Sequence, residues 1–214
     1  AIPAQAVFLS QASRMPRALS QSEIEAFRER LCDAAEKLFA EHGVEAVTVR
    51  ELSGALGVSP MTPYRYFKDK DAILAAVRAR SYNRFAEALE EAYAANAADP
   101  ARASEAVGRA YVDFAFSHPE AYKLMFDIRQ PSEALYPEFV QAGERAKATM
   151  TRHIGDIVGP DGARPDPELV GRSYWAALHG AIMLEFAGRL DPDYSAPQVI
   201  GALTDALASY WRRR

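Results

Sequence analysis

The chain has a single cysteine, no long apolar run and no surplus of positive charge, and each shortage removes a class of protein. Among 214 residues only Cys32 is a cysteine, so neither an internal disulfide framework nor a cysteine-rich metal site can be built. Cys32 lies within a helical apolar pattern and reads as a packed core thiol. No stretch approaches the roughly 18 consecutive apolar residues that a transmembrane helix needs. The opening "AIPAQAVFL" lacks a basic lead and is too short for a secretory signal. These features together predict a cytoplasmic setting with no membrane association. The formal net charge is −4, so any nucleic-acid site must be a local patch instead of a general basic coat. Alternating β-branched runs are missing, and so is any strand signal. There is no nucleophile elbow, phosphate-cradling glycine loop or His-Glu-x-x-His motif. His153 and Asp156 in "HIGD" share a face, but two ligands do not make a metal site. No cofactor and no enzymatic activity are expected.

What is present is helix after helix. About half the residues are apolar (49%), enough for a real core. Residues 1–19 carry Arg14, Arg17 and two prolines without one acid, and read as a flexible cationic arm. "LSQSEI" then starts order: Ser20 and Glu23 fit a capping box, with Leu19 and Ile24 as its hydrophobic staple. The stripe Phe27, Leu31, Ala34, Ala35, Leu38 and Phe39 predicts a first helix to about His42, closed by Gly43. The device repeats in "VTVREL", where Thr48 caps, Glu51 returns the bond, and Val47 faces Leu52. Long helical patterns follow over about 69–97, 101–117, 119–127, 132–157, 167–190 and 196–213. The breaks between them contain Pro or Gly. The expected class is all-α, with an arm (1–19), a helix-turn-helix unit (20–68) and a larger helical domain (69–214).

"GVSPMTPYRYFKDKDAI" (57–73) places two prolines beside two tyrosines, an arginine and two lysines. A capped helix, a glycine turn and a short second helix make the layout of a helix-turn-helix. Proline is tolerated in a helix's first turn, where its missing N–H had no partner anyway. Ser59–Pro60 and Thr62–Pro63 both fit as cap and first residue of a helix of about five to seven residues. Lys70 falls in the first turn of the next helix, where a cation opposes the dipole. A phosphate at that helix terminus would reverse the cost. Residues 21–80 hold nine Lys/Arg against ten Asp/Glu, so the unit must be polarised, its acids gathered on the first helix.

The stretch "AAEKLFAEHGVEAVTVRELSGALGVSPMTPYRYFKDKDAIL" (34–74) resembles the DNA-binding domain of the TetR family of bacterial regulators. The likeness rests on the Phe-Ala-x-x-Gly helix end, Thr-Val-Arg-x-Leu, Gly-Val-Ser and Tyr-x-x-Phe-x-x-Lys. It implies that Thr48, Tyr64 and Lys70 contact operator phosphates, while Met61, Thr62, Arg65 and Tyr66 face the groove. Pro63 replaces a common Leu and Tyr66 a common His, which leaves the operator sequence open. "SHPEAYKLMFD" and "WAALHGAIMLEF" resemble a C-terminal variety marked by Trp-x-x-x-His-Gly. The helix over 167–190 is apolar nearly all round and, with 196–213, offers a four-helix homodimer interface of the kind the family uses. Tyr111, Phe114, Tyr122, Met125, Phe126, Trp175 and His179 are the expected lining of a cavity for a small apolar or aromatic effector. The resemblance implies a regulator of a double-stranded DNA operator, most simply a ligand-released repressor. A sensing protein without a specific operator, or an all-α enzyme, are the other readings.

Overall fold

The computed structural model describes residues 20–126, 135–158 and 166–211, and every α-helix and 3-10 turn in it is an expected helical segment or lies within one. Leu19, Arg14 and Arg17 lie outside the described residues. Among the described residues eight α-helices follow in order: α1 Gln21–His42, α2 Val49–Ala55, α3 Lys70–Ala94, α4 Pro100–Ser117, α5 Pro119–Met125, α6 Pro137–Val158, α7 Pro167–Phe186 and α8 Ala196–Trp211. A 3-10 turn, Pro63–Arg65, stands between α2 and α3. Among the described residues no helix is long and apolar enough to cross a membrane.

Local chemistry sets these ends. Both capping boxes form: Glu23 N donates to Ser20 Oγ at 3.2 Å and Glu51 N to Thr48 Oγ1 at 3.2 Å, with each glutamate accepting the cap residue's own N–H at 2.7 Å. Four helices open on proline, the residue whose absent N–H costs least there. Gly43 and Gly57 close the first two helices at φ +80° and +65°, a region that only glycine enters cheaply. Gly188 at φ +60° ends α7 at Phe186, four residues short of the expected 190.

The second helix of the helix-turn-helix is shorter than its expected five to seven residues. Of the two registers, the chain takes Thr62–Pro63. An α-helix starting at Pro60 would need the residue-63 N–H to reach the Ser59 carbonyl, and Pro63 has none. Ser59 O takes Thr62 N instead, at 2.8 Å, and Pro63 O takes Tyr66 N at 2.9 Å. The outcome is a tight turn pinned by the buried Pro63.

α3, 25 residues long and hence about 37 Å, runs through both halves of the molecule. Its first turns give Ile73, Leu74 and Val77 to one core with Leu31, Phe39, Val47, Leu52 and Phe67. Its middle gives Phe85, Ala86 and Leu89 to a second core with Val107, Tyr111, Phe114, Tyr122, Met125, Leu178 and Ile182. The short α5 belongs to both: Leu124 is buried in the first core, Tyr122 and Met125 in the second. Arg78, fully buried, donates from Nε to the Leu124 carbonyl at 2.8 Å, and Tyr82 Oη donates to the Met125 carbonyl at 2.7 Å. The N-terminal core thus extends beyond the boundary expected at residue 68.

Candidate nucleic-acid interface and ligand cavity

The buried Pro63 and the Tyr66 packing hold the 3-10 turn so that its neighbours project outward. Met61 is 69% exposed and Tyr64 49%. Arg65 is exposed, Thr62 is half-buried, and Thr48 stands exposed at the start of α2. Arg50, one residue into that helix, is also exposed. Sequence reasoning passed over it although it sits inside the Thr-Val-Arg motif. Several acids of α1 are engaged by α3: Arg80 binds Glu29 at 3.0 Å, Asp33 at 2.6 Å and Glu36 at 3.0 Å, and Arg84 binds Glu36 at 2.8 Å. The two arginines offset two of these three negative charges, while Arg50, Arg65 and Lys68 stand exposed.

Two expected contact residues have other duties. Tyr66 does not project: its ring stacks on Phe27 at 4.2 Å, and its carbonyl accepts Arg28 Nη1 at 2.9 Å. Phe27 lies 39 positions earlier in sequence, so no local pattern could signal the pairing. Lys70 turns away from its own helix terminus. Its Nζ donates to the carbonyls of Val44 at 2.9 Å, Val47 at 3.1 Å and Glu45 at 3.5 Å. An ammonium has three donors, and all three are directed at the α1–α2 loop. Asp69, accepting Ala72 N at 2.8 Å, caps α3.

In the other half the expected cavity lining divides. Tyr122 and Met125 are fully buried, and Tyr111 and Phe114 nearly so. They pack against one another: Tyr122 lies 4.9 Å from Phe126, Phe126 4.5 Å from His179, and Phe85 5.2 Å from Phe114, ring centre to ring centre. Tyr111 Oη and Tyr122 Oη are 2.7 Å apart, and Tyr122 Oη is 2.8 Å from His179 Nδ1. Burial pushes both tyrosine hydroxyls well above their ordinary range and lowers His179 below its own. Phe114, Tyr122 and Met125 are therefore buried in the second core, Phe126 and His179 are half-buried against their rings, and none of the five is among the lining residues of the cavity beside them.

A cavity of about 530 Å³ does exist beside this cluster, between α4, α6, α7 and α8. Of the expected residues only Tyr111 and Trp175 line it, joined by Met150, His153, Leu178 and Ile200 among others. Its size falls in the range of small-molecule sites. His153 is buried, and desolvation lowers its pKa from the usual histidine value. The imidazole is thus neutral near pH 7. Aromatic residues drew attention in the sequence because they are large, but large side chains fill the core. The cavity is marked by residues that are small, Gly108 and Gly201, set within α4 and α8.

A tight turn presenting Met61, Tyr64 and Arg65 from a helical domain, joined by one long helix to a cavity-bearing domain, defines a DNA-binding transcriptional regulator. Known proteins agree. Residues 31–77 match the family model described as bacterial regulatory proteins, tetR family, and residues 104–207 match the tetracyclin repressor-like C-terminal domain. The chain belongs to the TetR family of bacterial transcriptional regulators. It is 26% identical over 187 residues to an uncharacterized HTH-type transcriptional regulator of Mycobacterium tuberculosis, covering 87% of this chain and 82% of that protein. It is 36% identical over 72 residues to an HTH-type transcriptional repressor of the same organism, covering 34% of this chain and only 38% of the repressor's length. A solved protein of unknown function from a Rhodococcus species superposes with a TM-score of 0.70 at 26% identity, over 94% of this chain and 97% of that one. The TetR family regulator PfmR of Thermus thermophilus gives a TM-score of 0.64 at 25% identity, over 83% and 96%.

Proposed function

We propose that this chain is a ligand-released repressor that binds a palindromic operator as a homodimer and lets it go when a small apolar or aromatic molecule enters the cavity. The observation that carries the reading is the pairing of an exposed turn with a cavity in the other half, with α3 giving residues to the cores of both halves. Thr48, Arg50 and Tyr64 contact backbone phosphates, which position the unit. Met61, Thr62 and Arg65 face base edges in the major groove, Arg65 as a bidentate donor to guanine. Tyr66 supports the turn from behind, and Lys70 holds the α1–α2 loop.

Dimerisation runs through α7 and α8. The sequence of α8, "APQVIGALTDALASYW", is largely apolar, yet only Ala196 in it is buried within the chain. Leu203 and Tyr210 on α8 and Leu169 and Leu184 on α7 stand exposed. A second copy supplies the cover, as a two-fold interface pairs the same patch with itself. The work is done in the cytoplasm, with no cofactor and no turnover.

Operator selection from random duplex DNA tests the reading. A two-fold symmetric consensus is expected, with half-site centres one helical turn, about 34 Å, apart. Failure to enrich any sequence would favour a sensing protein without a specific operator.

A further inference from the structure

Three of the cavity's lining residues are glycines inside helices, and two of them, Gly108 in α4 and Gly201 in α8, stand apart from the third, Gly171 in α7. Glycine in a helix interior is unfavourable relative to alanine, so a mid-helix glycine calls for a reason. At both positions an added Cβ would meet nothing within 4 Å. Neither is therefore required by close packing against a neighbouring helix. Gly171 is the contrast: it also lines the cavity, but a Cβ there would lie 2.9 Å from Thr151 and its absence lets α7 approach α6. Gly108, half-buried, and Gly201, exposed, both lie on the cavity's lining, so a side chain at either would take up space beside the cavity that is now open.

The charge pattern of the walls narrows what can fill that space. Of the described lining residues Arg109 is the sole lysine or arginine, and it is exposed and paired with Glu105 at 2.9 Å. The other charged side chains of the lining are acids, Glu105 and Asp113, both exposed at the rim. The inward polar groups, among them Tyr111, Tyr174 and Thr204, carry no charge, and His153 is buried and neutral. Asp156, one turn from His153, is taken by Tyr93 Oη at 2.7 Å. A carboxylate entering this site would lose its hydration, find no cation among the described lining residues but Arg109, which is exposed and already paired with Glu105, and meet two acids at the mouth.

Resting on the reading that this is the effector site, we propose that the cavity takes an uncharged, mainly apolar molecule seated over Gly108 and Gly201 and excludes carboxylates of the same shape. The α4 wall from Ser104 to Asp113 sets its length at about 13 Å, enough for two or three fused rings or a medium alkyl chain.

Matched probes decide the point: methyl 2-naphthoate against 2-naphthoate, and 1-decanol against decanoate, followed by quenching of Trp175, which lines the cavity, and by thermal shift. The ester and the alcohol are expected to bind at least tenfold more tightly than their carboxylates at neutral pH. Gly108→Leu and Gly201→Leu fill the space from opposite walls, and each should abolish binding while the melting temperature is held or raised. Equal affinity for ester and carboxylate would overturn the uncharged class and leave the effector reading intact. Binding that survives both leucine variants, or no binding by any of the four probes, would overturn the seat over the glycines. Tight neutral binding that both variants block, without release of operator DNA, would confirm the cavity's chemistry and refute its role as the effector site.

Discussion

Replacing Lys70 by methionine separates two accounts of one residue. The side chain keeps its length and apolar stem and loses the ammonium that spans the Val44, Glu45 and Val47 carbonyls. A hydrogen bond from a charged donor contributes about 1.5–3 kcal/mol when buried. The bonds to Val44 and Val47 are only part-buried, which reduces each to about 1 kcal/mol, and the 3.5 Å contact to Glu45 adds little. The expected loss is about 2 kcal/mol, or about 4–8 °C in Tm for a chain of this size. Far-UV circular dichroism on heating reads it directly. The salt dependence of operator binding supplies the second axis. A phosphate contact removed lowers the slope of log K against log salt by about 0.9, whereas a loop-tying lysine leaves that slope unchanged. An unaltered Tm together with a slope loss of that size would refute the structural role.

Arg50→Ala should weaken binding to every operator alike and lower the salt slope by about 0.9, while Arg65→Ala should change the selected consensus; exchanged outcomes would exchange their roles. Leu184→Arg and Leu203→Arg should each give a folded chain that sediments as a monomer at micromolar concentration. Ala181→Arg should instead unfold it, because Ala181 is buried within its own chain (2% exposed). Burial pushes the Cys32 thiol up to about 11, so iodoacetamide at pH 8 should leave the native protein unmodified and label it only on unfolding. His153 and His179 both have folded-state pKa values below the ordinary 6.5. On acidification the unfolded chain therefore takes up protons first, and stability is full above that value and declines below it. A Tm that does not fall between pH 7.5 and 5.5, or one whose fall His179→Asn fails to flatten, would contradict this.

The legible parts of the sequence were those decided within a few residues. Ser20 with Glu23 and Thr48 with Glu51 are local reciprocal hydrogen bonds, and prolines at 100, 119 and 167 mark helix starts for a reason each residue carries itself, whereas α6 starts at Pro137 and not near the expected 132. Even the prolines at 60 and 63 limited the turn to two registers. What the sequence hid depended on long reach. Lys70 bonds to carbonyls 23 to 26 residues back, and Tyr66 stacks on a ring in α1. The aromatic residues of the second core were recognisable as a cluster, but whether a cluster is filled or hollow depends on how four helices diverge. The space opened where α4 and α8 present glycine, and size alone pointed to its neighbours.

Leu124 has a consequence for how this molecule can be taken apart. A fragment ending at the end of α3 would retain every residue of the helix-turn-helix and still lack that leucine, leaving Arg78 without the Leu124 carbonyl and a leucine missing from the core that holds Leu74 and Val77. Emptying a buried leucine site costs about 2–5 kcal/mol, a large share of what holds so small a unit together. The DNA-reading end is therefore not a detachable cartridge. A chimera that grafts it onto another chain's sensing domain should carry α5 with α3, or rebuild in the new host a side chain that fills the place of Leu124.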